Sequence, residues 1–120
     1  MVLFCLPFLS AGQVNFQKYF LEKSMRFDFL LGGNAKEEKV YFQQIKKEPF
    51  WGGSKTNTID PFNYGNFRFR VFDSGSGELI FSKGFSTLFD EWQTTAEAKT
   101  IDRTFYQSAV FPFPKNKIRL

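Results

Sequence analysis

Residues 66–85 read NFRFRVF, DSGSGE, LIFSKGF: bulky side chains at every second position, a run of turn formers, then bulky side chains again. Only an extended chain puts residues two apart on the same face. Phe67, Phe69 and Val71 therefore mark a buried face, and Arg68 and Arg70 a wet one. The serines and glycines between Asp73 and Glu78 suit a hairpin connection. A second run repeats the pattern, with Met25, Phe27, Phe29 and Leu31 set against Arg26 and Asp28. Phe supplies 18 of the 120 residues and aromatics 20% of the chain, a stock suited to half-buried pleated surfaces.

Turn signals place the remaining elements. Gly32, Gly33 and Asn34 supply a tight turn, and Lys36 to Lys39 a solvated charged loop. A strand follows, with Val40 and Phe42 on one face and Tyr41 and Ile45 on the other, ended by Pro49 for want of an N–H. Gly52-Gly53, Asp60-Pro61 and Gly65 mark turns. The stretch STLFDEWQTTAEAKT, residues 86–100, carries the one helical signature: Thr94 or Thr95 can cap, and Ala96, Glu97 and Ala98 follow, predicting one short helix of one or two turns. A strand from Arg103 to Phe111, a break at Pro112 and Pro114, and a last strand over Lys117 to Leu120 complete the reading. The predicted fold is all-β: an antiparallel β-sandwich, Ig-like or jelly-roll, of roughly seven or eight strands with one short helix.

The chain has no histidine and a single cysteine, Cys5. A zinc site would have to be built from carboxylates, and the usual base for a Ser or Cys nucleophile is missing. Catalysis by this chain alone is not expected. The net charge of +4 is spread along the sequence rather than gathered into a stripe, which argues against a nucleic-acid or membrane-surface partner. The basic and aromatic alternation of NFRFRVF is better explained as an amphipathic strand than as a base-stacking one.

Residues 1–12 form an apolar run, Val2 to Leu9, closed by Ser10, Ala11 and Gly12. That pattern predicts a secretory signal peptide, too short to span a bilayer, with a first core strand as the alternative. Export would leave a mature protein without cysteine, placed outside the cytoplasm: secreted, periplasmic or at the cell surface.

Three aromatics stand out as candidate contacts. Trp51, Tyr64 and Trp92 lie in or beside turn-rich stretches, where they would either stack on a ligand such as a sugar ring or cap the ends of the sandwich. Asp60, Asp90 and Glu91 do not make a convincing acid–base pair, since adjacent acids diverge on a strand or a helix. Asp60, Asn63 and Asp73 are oxygen donors without the loop spacing of a calcium site.

Longer stretches carry more information. FQKYFLEKSMRFDFLLGGNAKEE, WGGSKTN, YGN, GFSTLFDEWQTT and PFPKN occur in this order across residues 16–120. Together they resemble the N-terminal domain of secreted bacterial zinc peptidases of the IgA-protease type, metallo-peptidase family sixty-four. The resemblance implies a non-catalytic β-sandwich placed before a catalytic peptidase domain that carries a His-Glu-x-x-His zinc helix. Zinc and every catalytic residue would belong to that absent domain, in cis, and none can be assigned here. The expected role is to position a protein or glycoprotein substrate or to stabilise the catalytic domain, with Trp51 and Trp92 at the seam. A stand-alone carbohydrate- or protein-binding module at the cell surface is the alternative.

Overall fold

The alternating runs do form strands in a computed structural model, which describes residues 13–62 and 64–120. The expected export signal, residues 1–12, lies outside the described residues. The strands are β1 (Phe20–Gly33), β2 (Glu38–Glu48), β3 (Phe67–Asp73), β4 (Leu79–Phe85), β5 (Arg103–Pro114) and β6 (Ile118–Arg119). They make two three-stranded antiparallel sheets, ordered β2-β1-β5 and β4-β3-β6. The all-β sandwich is as predicted. Among the described residues there are six strands rather than seven or eight. The described residues of 49–66, rich in turn formers, contribute to the sheets only a parallel bridge between Ile59 and Ser82.

Two local expectations are corrected. Pro112 and Pro114 do not break the last long strand; β5 runs through both. Among the described residues it lies at the edge of its sheet, with β1 on one side only, and an edge position spares a proline the ladder bond it cannot donate. The predicted helical stretch, residues 86–100, does hold a helix, but one that starts ahead of the expected Thr94 or Thr95 cap, and a further single turn precedes β1. α1 is a single turn, Phe16–Tyr19, capped by the Asn15 side chain, and α2 spans Leu88–Trp92. The Thr87 hydroxyl accepts from the Asp90 amide at 3.1 Å and starts α2, with Asp90 and Glu91 favourably placed in its first turn. Thr94 and Thr95 donate their hydroxyls to the carbonyls of Glu91 and Trp92, each at 2.7 Å, so they close α2 rather than open a new helix. Beyond them the stretch keeps only a 3-10 turn, Glu97–Lys99.

The core is built from the inward rows of both sheets. Phe69 packs on Phe81 and on Phe111, with centroids 5.6 and 6.1 Å apart, joining the second sheet to β5 of the first. Val14, Phe16, Tyr19 and Phe20 bring α1 and its approach into the same cluster. A second cluster gathers Phe29, Leu31, Phe89, Trp92, Ala98 and Ala109. The hairpin between β3 and β4 is tied by Asp73, whose carboxylate accepts from the Ser76 amide and hydroxyl, both at 2.8 Å. Gly77 there adopts a left-handed φ of 73°, open to glycine at little cost.

On the outer face of the first sheet, Asp28 is fully buried beneath its neighbours. It accepts from Ser108 Oγ and Gln44 Nε2, each at 2.7 Å, and pairs with Arg26 at 3.0 Å. These donors, led by Ser108, hold its carboxyl far below the ordinary aspartate range against the opposing effect of burial. A depressed folded-state value stabilises the fold above the unfolded value of about 3.9, and that contribution is lost as pH falls below it.

Two outcomes are expected. Acidification from pH 5 to pH 2 should lower the Tm of the unaltered protein more than that of Asp28→Asn, and Asp28→Asn should have the lower Tm at pH 7. Thermal scans across that range would check both. Phe111→Ala, at a fully buried position, should cost about 3–5 kcal/mol in chemical denaturation through the cavity it leaves.

Candidate binding surfaces

The sequence Phe-Trp-Gly-Gly is explained by the seat of the Trp51 ring. A Cβ added to Gly53 would lie 2.3 Å from the six-membered ring of Trp51, so only glycine allows the chain to fold back over the indole. Gly52 meets nothing within 4 Å and has no such constraint. The indole N–H donates to the Ser54 carbonyl at 3.1 Å, and the ring stands edge-on to Phe81 at 5.7 Å. Trp51 is thus half-buried and rigidly held, with its polar tip already satisfied.

Asp60 shapes the next part of the surface. Its carboxylate accepts from the Phe62 amide at 2.9 Å and the Gly84 amide at 3.0 Å, which fastens the loop to β4. The approach at Gly84 is close: an added Cβ would sit 2.1 Å from the Tyr64 carbonyl oxygen. Gly65, with φ of 86°, turns the chain back beside Phe85. Beyond this anchor Phe62 and Tyr64 project into solvent, 67% and 74% exposed, with rings parallel to within 4° and centroids 5.5 Å apart. Trp51, Asp60, Phe62, Tyr64 and Lys83 line one open cleft of about 630 Å³. The structure therefore brings two of the three predicted contact residues together. Phe62, an aromatic of the same turn-rich stretch, stacks on Tyr64, a pairing that sequence order does not reveal.

Trp92 lies elsewhere. It is only 8% exposed and packs between Phe89 and Phe105 in the second core cluster. Its indole N–H donates to Glu97 at 2.9 Å, and Arg103 donates to the same oxygen at 2.9 Å. Those bonds, the indole first, lower the Glu97 carboxyl below its ordinary value. With its face in the core and its tip engaged, Trp92 anchors the segment after α2 and has little ring to offer at a seam.

A second surface has no counterpart in the sequence reading. β2 forms a strand as predicted, but every residue from Glu38 to Lys47 is exposed. An extra residue, Gln43, bulges between the pairs Asp28–Gln44 and Phe29–Phe42. The bulge shifts the alternation, so that Ile45, opposite Phe27, shares the inward face with Phe42 and Val40 instead of opposing them. These three side chains are 52–63% exposed because the second sheet does not extend over β2. An open groove of about 570 Å³ runs between β2 and β3.

Neither surface assembles reactive chemistry. Among the described residues no group of three or more Cys, Asp or Glu side chains is placed to hold a metal ion. Asp90 takes the side-chain amide of Asn66, Asp60 and Asp73 cap their own loops, and Asn63 lies outside the described residues. Aromatic clusters, apolar strand faces and fixed backbone edges are binding features, and they are what this fold presents. No curated protein matches the chain. Residues 15–120 match the family described as Peptidase M64 N-terminus, and with nearly its whole length covered the chain belongs to that family.

Proposed function

We propose that this domain is the non-catalytic accessory domain of a secreted bacterial zinc metallopeptidase of the IgA-peptidase type. Its role is to position a protein or glycoprotein substrate for a catalytic domain in cis, or to brace that domain. The observation that carries the reading is the match of residues 15–120 to the N-terminal domain of a peptidase family. The zinc and its ligands belong to the catalytic domain; this chain, without histidine, supplies contact surface. The cleft of Trp51, Phe62 and Tyr64 suits that task, because exposed aromatics on an anchored loop offer large contact area at small entropic cost. An exported protein, in the periplasm, at the cell surface or beyond it, is part of the same reading. No helix among the described residues is long and apolar enough to cross a membrane.

The parallel Phe62–Tyr64 pair also favours a second reading, a stand-alone module that stacks carbohydrate rings on these aromatics. The intact mass of the native product separates the two. A mass well above 14.0 kDa, with a His-Glu-x-x-His segment beyond Leu120, places the domain in a peptidase. A product near or slightly below that mass favours the binding module, to be tested by glycan titration. In the full-length peptidase, Phe62→Ala with Tyr64→Ala should raise KM for a protein substrate about tenfold, as loss of a contact anchor does, and leave cleavage of a short synthetic peptide unchanged. Unchanged kinetics on both substrates would rule this cleft out as the contact.

A further inference from the structure

The cleft that holds Trp51, Phe62 and Tyr64 has little backbone left to offer a ligand. The Asn57 amide donates to the Ser54 hydroxyl at 2.8 Å, and the amides of Phe62 and Gly84 donate to Asp60 at 2.9 and 3.0 Å. The amides of Asp60 and Ser82 donate to the carbonyls of Ser82 and Thr58 at 3.2 and 3.0 Å. Each amide has one N–H to give, so these are spent inside the fold. The side chains are in the opposite state. Asn57, Tyr64 and Lys83 line the cleft, and their polar ends have no hydrogen-bond or ion-pair partner among the described residues. Thr58, buried in the same lining, also keeps a hydroxyl without a partner, where buried groups are normally paired.

We infer that this cleft binds a neutral glycan carried by the protein substrate, with sugar rings stacked on Phe62 and Tyr64 and hydroxyls bonded to Asn57, Tyr64 and Lys83. The inference rests on the reading of the cleft as the substrate contact and narrows the contact from polypeptide to sugar. It differs from a stand-alone sugar-binding module in that the sugar belongs to what the peptidase cleaves. An extended peptide is held through main-chain hydrogen bonds, and the engaged amides leave no ladder for one. Parallel rings with centroids 5.5 Å apart are slipped past each other, which keeps ring face open to solvent. The negative face of an aromatic ring attracts the C–H groups that a sugar presents on its own flat face. The unpartnered amide, hydroxyl and ammonium beside the rings match sugar hydroxyls, which both donate and accept. Asp60 and Lys83 carry opposite charges in one lining, so the cleft selects neither an anion nor a cation.

The first test titrates the full 120-residue chain with chitotetraose, lacto-N-tetraose and mannopentaose, followed by NMR. At least one should bind and move the Trp51 indole N–H and the amides of Tyr64 and Lys83. Tyr64→Ala should weaken that binding about tenfold, as loss of a contact anchor does, with no change in Tm at so exposed a site. Added salt should leave the affinity unchanged, because the ligand is neutral. No binding to any of the three, affinity that falls steeply with salt, or shifts confined to the groove between β2 and β3 would each overturn the inference. The second test uses the full-length peptidase. Enzymatic removal of the glycans from a glycoprotein substrate, and Phe62→Ala with Tyr64→Ala, should each raise KM about tenfold, and together no more than either alone. Additive effects would overturn the inference and leave the cleft as a contact for polypeptide. Sugar binding by the chain with KM unmoved by either change would instead overturn the substrate-contact reading and leave the glycan site standing.

Discussion

The contact of Phe69 with Phe81 and Phe111 joins the two sheets, and the rest of the arrangement depends on it. Aromatic rings at such spacing bury large area and stack or tilt without steric conflict. They fix the second sheet over β5 and β1. Among the described residues each sheet has three strands, so placing β3 and β4 there leaves β2 beyond the area they cover. The exposure of Val40, Phe42 and Ile45 is thus the geometric consequence of where the aromatic seam lies, not of any polarity in β2.

The two surfaces owe their form to different physics. The cleft at Trp51 and Tyr64 is made by close approach: Gly53 under the indole and Gly84 against the Tyr64 carbonyl leave no space for a Cβ. Asp60 then holds the loop with amide hydrogen bonds that a shorter or neutral acceptor would make less well. The groove between β2 and β3 follows from the reach of the second sheet, which leaves the inner face of β2 exposed. One surface offers fixed aromatic faces and the other an apolar wall.

Much of the strand plan was legible in the residues. The Phe and Val rows of NFRFRVF and the Asp, Ser and Gly of its hairpin read directly, because period and turn chemistry are local properties. Arg26 and Asp28 also fell on the face opposite the core, though nothing local announces that Asp28 is buried by Ser108, eighty residues away, and by Gln44. The helix was displaced because Thr94 and Thr95 have the chemistry of a cap at either end, and only their bonds back to α2 decide between them. The prolines of β5 read as breakers because a sequence does not say which strands lie at an edge.

By itself the sequence determined the all-β class, the main hairpin, the family and the absence of histidine chemistry, since each depends on residue identity or short-range order. Tertiary structure alone decided the candidate sites. It sent Trp92 into the core and joined Tyr64 to Phe62. At Gln43 it inserted a bulge that moved Ile45 to the other face. Exposure and register are set by which elements pack against which, and that information is spread over contacts far apart in the chain.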